Sequence, residues 1–205
     1  SASPSAFGSR TRIVVAVADY TDTRAPALAP FRAPALSSFD DAAVRDCAED
    51  DLVDIGRIWN AEINDSFATW STTPHTREDL IAWRAAKRQA GLPILVTGTP
   101  VAGFATWGPF RRGDGYAATV EHSVYVDRQG RGRGIGTVLL KALIRRAVLA
   151  GVSAMVGGID AEQEASLALH RRLGFIEVGR LPGIGRKFGS PRTLVLMQRA
   201  LERDP

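Results

Sequence analysis

The chain has 205 residues, of which 45% are hydrophobic, and its formal net charge is +4 at pH 7. This length suits one ordinary domain, and the composition is rich enough in apolar residues to exclude a chain that is disordered throughout. No apolar run approaches the roughly 20 residues that span a bilayer, so we expect no membrane association. The single cysteine, Cys47, can form no internal disulfide, and no Cys/His cluster offers a metal site, so we expect a cytoplasmic protein without a bound metal.

The first 39 residues differ from the rest. They are rich in Ser, Ala and Pro and show no sustained amphipathic period. We therefore predict an irregular extension over residues 1–39 and one folded domain over residues 40–205.

Apolar periodicity predicts alternating strands and helices from residue 40 onwards. In chain order, we predict a strand over 42–47, helices over 50–64 and 77–90, a hairpin of 93–97 with 101–107, a strand over 117–126, a helix from 135, a strand over 153–159, a helix over 164–173, and strands near 175–180 and 193–199 on either side of a loop rich in Gly and Pro. This order indicates one α/β (α+β) domain, in which a mixed central sheet is flanked by helices.

A run of alternating glycines and arginines is the most informative segment. Gly130, Gly132, Gly134 and Gly136 lie between a predicted strand and the start of a predicted helix. Glycines let main-chain N–H groups converge on one point, and the helix N-terminus adds the positive end of its dipole. The segment therefore predicts a site for an anion, above all for a pyrophosphate.

Two common phosphate-binding loops do not match this segment. A Walker loop needs a lysine, which is missing here, and the GxGxxG dinucleotide fingerprint has its last glycine out of register because position 135 is Ile and position 137 is Thr. The pattern that fits is [Arg/Gln]-x-x-Gly-x-Gly, read from Arg131 to Gly136.

From about residue 44 to 202 the chain resembles the GNAT acetyltransferases, and especially their phosphinothricin/methionine sulfone (sulfoximine) acetyltransferase branch. The glycine pattern is typical of the superfamily, whereas the strings EHSVYV (121–126), HRRLGF (170–175) and GRKFG (185–189) are more specific to the branch. The resemblance implies the GNAT fold, with splayed central strands near 119–126 and 153–159 that hold acetyl-CoA between them. It also implies a homodimer.

The resemblance assigns residues to acetyl-CoA. The main chain near Val124 would pair with the pantetheine arm, and residues 131–137 would bind the pyrophosphate. The full set implied for the cofactor is Val124, Tyr125, Val126, Arg131, Gly132, Arg133, Gly134, Ile135, Gly136, Thr137, Gln163 and Ser166. The branch usually has Asn where this chain has Gln163.

Acetylation of an amine needs a base for the acceptor ammonium and an acid for the departing CoA thiolate. Glu121 is the predicted base, directly or through water, although the pattern alone also suits a solvent-facing residue of a half-exposed strand. His170 is the predicted acid, and the alternative is that it only lines the thiol end of the cleft. Strand alternation directs His122 to the face opposite Glu121, so we do not include it, and we expect His75 to be solvated.

An amino-acid acceptor brings a carboxylate, which arginine and hydroxyl groups bind well. The positions that the resemblance matches to the acceptor are Thr69, Trp70, Trp107, Arg111, Lys187 and Phe188. For the two tryptophans, plain core packing is the alternative. The closing loop reads Ser-Pro-Arg-Thr at 190–193, where the family tends to have Arg/Asn-Trp-x-Asp, and this departure leaves the acceptor open.

Three functions are therefore compared. The first is an acetyl-CoA-dependent N-acetyltransferase for a small amino-acid-like molecule such as methionine sulfone, methionine sulfoximine or phosphinothricin. The second keeps the donor but acetylates a polyamine, an antibiotic or a protein N-terminus. The third is a basic module without turnover that binds nucleic acid or senses CoA. The arginines concentrate at the predicted pyrophosphate loop, so we expect no nucleic-acid partner.

Overall fold

The computed structural model describes residues 44–201, so the predicted extension over 1–39 lies outside the described residues. Seven strands alternate with four helices in this part of the chain. The strands are β1 (Val44–Asp46), β2 (Ile94–Thr97), β3 (Gly103–Pro109), β4 (Thr119–Val126), β5 (Ala154–Asp160), β6 (Ile176–Lys187) and β7 (Ser190–Ala200), and the helices are α1 (Leu52–Asp65), α2 (Arg77–Gln89), α3 (Ile135–Leu149) and α4 (Glu164–Arg172). None of these helices is long and apolar enough to span a bilayer.

The seven strands form one mixed sheet in the order β1-β2-β3-β4-β5-β7-β6. Neighbouring strands run antiparallel except β4 and β5, which are parallel. The connection between these two parallel strands carries α3, as a parallel crossover requires. The predicted mixed sheet flanked by helices is confirmed.

Helices cover both faces of the sheet. On one face, Leu139 and Leu143 of α3 and Leu167 of α4 belong to a buried apolar cluster. On the other face, α1 and α2 form a second cluster, in which Trp59 packs against Phe104 of β3. Because side chains alternate along a strand, β2, β3 and β4 each contribute to both clusters.

The last hairpin differs from the prediction. Instead of flanking a loop, β6 and β7 pair from Ile176 opposite Gln198 to Lys187 opposite Ser190. Register shifts between Glu177 and Gly179 and between Leu181 and Gly185 take up the extra residues. The loop prediction was wrong because Gly and Pro also mark bulges in edge strands, where no ladder hydrogen bond is required of the proline.

A buried ion pair joins the ends of β5 and β7. Arg192 donates from Nε to Asp160 Oδ2 at 2.7 Å and from Nη2 to Oδ1 at 2.6 Å, and Trp70 Nε1 also donates to Oδ2, at 2.9 Å. Burial by itself raises the pKa of the Asp160 carboxyl, but the hydrogen bonds from Arg192, from the Glu162 main chain and from Trp70 outweigh burial and lower it. The pair therefore stays ionised and ties the segment after α1 to the sheet.

We expect Arg192→Met to destabilise the protein by about 3–5 kcal/mol, because it leaves a buried carboxylate without its partner. Urea unfolding followed by circular dichroism measures the free energy of unfolding. The matched control is Arg180→Met, which removes the exposed pair with Glu177 and should leave the free energy of unfolding almost unchanged, because solvent screens such a pair. Equal, small losses in both variants would contradict the role given to the buried pair.

Candidate active site

The parallel strands β4 and β5 separate in the middle of the sheet. They pair only from Thr119 opposite Ala154 to His122 opposite Gly157, although β4 continues to Val126 and β5 to Asp160. The gap between them opens into a cleft of about 510 Å3. This is the splayed pair of strands expected from the sequence.

The cleft brings together most residues that the sequence assigns to the cofactor. Those lining it are Val124, Tyr125, Val126, Arg131, Gly132, Gly134, Ile135, Gly136, Thr137, Gln163 and Ser166, whereas Arg133 is not among the lining residues. Within the described chain, no strand pairs with the β5-facing edge of β4 beyond His122. Its free N–H and C=O groups can therefore bind an extended arm as an added strand.

One end of the cleft is the N-terminus of α3. Gly132 and Gly134 have φ angles of +73° and +83°, which side-chain-bearing residues rarely adopt, and a Cβ at either position would meet open space. Glycine is therefore required at these positions by the left-handed main-chain conformation and not by steric crowding. Since the first N–H groups of a helix lack intrahelical acceptors, this end fits phosphate oxygens.

A buried carboxylate lies beside the glycine loop. Glu62 of α1 is only 2% exposed. Its Oε1 accepts a hydrogen bond from Arg131 Nη2, and its Oε2 accepts one from Ser66 Oγ at 2.5 Å. Part of the charge of Arg131 is therefore neutralised within the protein. The sequence analysis missed Glu62, and the signal that would have found it is its place on the buried stripe of α1, one residue before Ile63.

Glu121 lies on the face of β4 that carries Tyr125, and its Oε1 is 3.2 Å from the position that a Cβ on Gly158 would take. A large part of its side chain is exposed, yet the surrounding protein desolvates the carboxyl enough to raise its pKa, and the charge of Arg111 partly offsets this. A carboxyl group with a raised pKa is a stronger base when it is ionised. The placement therefore suits a proton acceptor beside the cleft.

His170 reaches the cleft from α4 and is 4% exposed. Its Nε2 lies 2.9 Å from Nε2 of His122, a residue that the sequence analysis did not include. Alternation along β4 does direct His122 away from Glu121, as expected, but this is the face on which α4 packs. Burial lowers the pKa of His170, and the hydrogen bond to the Ser166 carbonyl opposes that shift.

Two residues predicted for the acceptor have other partners. Trp107 is 4% exposed within the cluster under α3, because it pairs with His122 and so shares the face opposite Glu121. This favours the core-packing alternative. Lys187 is 1% exposed, and its Nζ donates to the carbonyls of Glu62 at 3.0 Å and Thr69 at 2.5 Å. Its ammonium group is therefore engaged by the main chain.

The remaining acceptor candidates lie in the region between α1 and the last hairpin, apart from Arg111, which lies near Glu121. Trp70 is held by Asp160, and its ring lies so close to Gly185 that a Cβ there would be 2.1 Å away. The exposed ring of Phe188 stacks edge-on against Phe67, with 5.3 Å between the centroids.

His75 differs from the expectation of a solvated side chain. It is half-buried, its ring centroid lies 4.3 Å from that of Trp59, and its main-chain N–H donates to Asn60 Oδ1 at 2.8 Å. This histidine therefore belongs to the packing around α1 and is remote from the pair formed by His122 and His170.

Comparison with known proteins agrees with this geometry. Residues 55–175 match the profile described as the Acetyltransferase (GNAT) family. Over 167 residues the chain is 42% identical to the L-methionine sulfoximine/L-methionine sulfone acetyltransferase of Pseudomonas paraeruginosa, which covers 80% of this chain and 96% of that protein. Over 151 residues it is 34% identical to the phosphinothricin N-acetyltransferase of Streptomyces coelicolor, which covers 71% of this chain and 88% of that protein.

A solved structure is similar along most of the described chain. The GNAT superfamily phosphinothricin acetyltransferase of Sinorhizobium meliloti in complex with AcCoA is 32% identical, with a TM-score of 0.75, and the match covers 77% of this chain and 87% of that one. The glycine loop, the diverging central strands and these similarities agree with one another, and the chain belongs to the GNAT family of acetyltransferases.

Proposed function

We propose that this protein transfers the acetyl group of acetyl-CoA to the primary amine of a small amino-acid-like acceptor, of the methionine sulfone, methionine sulfoximine or phosphinothricin type. The observation that carries the proposal is the cleft between β4 and β5, which runs from the N-terminus of α3 to His170 and is lined by Gly158, the residue that the Glu121 carboxyl approaches. The names of the two curated relatives support the acceptor class.

The cleft fits the successive parts of acetyl-CoA. The glycine loop presents main-chain N–H groups to the pyrophosphate, the free edge of β4 near Val124 faces the pantetheine arm, and Gln163 and Ser166 line the wall opposite. When bound, acetyl-CoA supplies the activated thioester. The protein then holds donor and acceptor together for direct transfer in a ternary complex, which lowers the entropic part of the barrier.

Glu121 takes the proton from the acceptor ammonium, directly or through water, and so leaves an amine that can attack. Arg111 is exposed and places a positive charge near this carboxylate, which partly offsets the rise in the pKa of Glu121 that burial causes. We assign Arg111 to the carboxylate of the acceptor, with Thr69, Trp70 and Phe188 as further contacts. A cationic group at this position disfavours polyamine acceptors, which carry several positive charges.

Thiol release from acetyl-CoA tests the acceptor class directly. We expect turnover with L-methionine sulfone, L-methionine sulfoximine and phosphinothricin, and little with spermidine or a short peptide, when the free thiol is followed with a thiol reagent. Turnover on spermidine or the peptide alone would agree with acetyl-CoA as the donor and contradict the proposed class of acceptor. No thiol release with any of these acceptors, while acetyl-CoA binding is intact, would contradict the proposal.

The glycine loop makes a separate prediction for the donor. Gly134→Ala forces a side-chain-bearing residue into left-handed backbone, which costs about 1–2 kcal/mol, so acetyl-CoA affinity should fall by roughly 5–30-fold. Isothermal titration calorimetry measures the dissociation constant. Gly115→Ala is the matched control, because a Cβ there meets nothing within 4 Å and no unusual backbone angle is present. Equal affinity in both variants would refute the loop's role.

The predicted base can be tested through pH. Glu121→Gln should lower kcat by about 100-fold or more, since general base catalysis contributes on that scale, with acetyl-CoA affinity unchanged. In the wild type, kcat/KM should rise with pH through the raised pKa of Glu121, because only the ionised form accepts a proton.

Arg111→Gln removes the charge that lowers this pKa, so the rising limb should move to higher pH. The exposed Glu177→Gln is the control, and an unchanged limb in Arg111→Gln would contradict the coupling.

We also propose that the chain works as a cytoplasmic homodimer. Strand β6 forms one edge of the sheet, and Ile176, Val178, Ile184 and Phe188 on it or next to it are each exposed by half or more. Such a row of apolar side chains is typical of a surface that a second copy covers. The single cysteine, Cys47, can form no internal disulfide, which is usual for a protein of a reducing compartment.

A further inference from the structure

Two buried imidazole rings meet where the cleft begins. His122 on β4 and His170 on α4 are 6% and 4% exposed, and their Nε2 atoms lie 2.9 Å apart. The other nitrogen of each ring also has a partner: Nδ1 of His122 lies 2.8 Å from the Val156 carbonyl, and Nδ1 of His170 lies 2.7 Å from the Ser166 carbonyl. The ring of Phe175 packs against both.

These three contacts fix the number of protons. A carbonyl oxygen only accepts, so each Nδ1 must carry a hydrogen. If both rings were neutral, the two Nε2 atoms would then face each other with lone pairs at hydrogen-bond distance. A third proton between the Nε2 atoms removes this conflict. Two rings with three protons are one imidazole and one imidazolium, so the pair carries a single positive charge.

The surroundings disfavour charge on the two rings, so the third proton depends on the contact between the Nε2 atoms. Burial lowers the pKa of both rings, and His170 further lowers the pKa of His122. The other charged groups of β4, β5 and α4 are Glu121 on the opposite face of β4, Asp160 on β5, which Arg192 neutralises, and, on α4, Arg172 and the ion-paired Glu164 and Arg171. None of them is hydrogen-bonded to either ring among the described residues, so the proton is held by the pair itself.

We propose that His122 and His170 share one proton at the cleft, and that His122 is the positioning residue that keeps this proton on the Nε2 side of His170. The inference rests on the proposed function, since it assigns the shared proton to the departing sulfur. Both rings line the cleft, and Gly157 lies beside their contact: a Cβ there would be 2.8 Å from His122 Cε1 and 3.3 Å from His170 Nε2. Glycine at this position leaves the shared proton accessible from β5.

The proton balance of the transfer is then complete. The carbon–sulfur bond breaks and its two electrons remain on sulfur. The two histidines donate their shared proton to this sulfur, which yields the free thiol. The acceptor nitrogen loses two protons, one from the ammonium before attack and one from the adduct as the amide forms, and Glu121 receives them in turn and passes each to solvent. With the one proton that the pair takes back from water, the reaction releases one proton overall. The pair is left neutral, with opposed lone pairs, and recovers a proton from water in the cleft. This opposition favours reprotonation before the next turnover.

Nitrogen-15 NMR of the labelled protein without any substrate tests the proton count. The chain has 3 histidines, so His75→Gln and His122→Gln together assign the ring signals. We expect both Nδ1 atoms to be protonated near neutral pH and one strongly deshielded proton to correlate with the two Nε2 atoms. Two neutral rings, or a ring with a bare Nδ1, would overturn the proposal. This measurement does not depend on any acceptor, so it remains decisive even if acetylation of the amine panel fails.

Kinetics test the role of the proton. His122→Gln keeps a side-chain amide that can donate to His170 Nε2 but cannot exchange a proton, so folding should be preserved. We expect kcat to fall by about 100-fold, with KM for acetyl-CoA unchanged, and the falling limb of the kcat–pH profile to move to lower pH. His75→Gln, remote from the pair, should behave like the wild type. Wild-type kcat and an unshifted limb in His122→Gln would overturn the positioning role while leaving the proposed acetylation intact.

Discussion

The early end of the pairing between β4 and β5 is the constraint on which the rest of the site depends. Parallel strands normally share a ladder along their length, but here the ladder stops at His122 and Gly157. A main-chain edge without a partner is costly when it is buried, so it must face either water or a ligand. The gap therefore forms the cleft, and the connection from β4 delivers the N-terminus of α3 to one of its ends.

Because the sheet opens between β4 and β5, further contacts hold β5 to the strands and segments beyond it. The buried pair of Asp160 and Arg192 holds the end of β5 to β7, and Lys187 joins the last hairpin to one carbonyl in the last turn of α1 and one after the helix. Charged groups are stable in such places only when every one of them is paired, because desolvation outweighs an isolated charge. The polar network thus holds the last hairpin to the end of β5 and to the α1 region.

Two consecutive glycines on β5 bring the proposed acid and base together. Gly157 faces the pair of His122 and His170, and Gly158 faces Glu121 on the opposite side of the sheet. Since successive residues of a strand point to opposite faces, the proposed base and the proposed acid approach neighbouring points of β5 from opposite faces of the sheet. This separation keeps the carboxylate and the shared proton from neutralising each other while both remain next to the gap.

The sequence by itself determined the order of helices and strands and the glycine loop, because periodicity, helix caps and positive φ angles are local properties of the chain. The segments EHSVYV (121–126) and HRRLGF (170–175) also singled out Glu121 and His170 as candidate residues, because they resemble family sequences and need no three-dimensional information. Only the tertiary structure decided that Trp107 belongs to the core, that Lys187 serves the main chain, and that the Gly/Pro segment is a bulged strand. It also decided that His122 meets His170, because that contact depends on which helix covers one face of β4, and no local pattern carries that information.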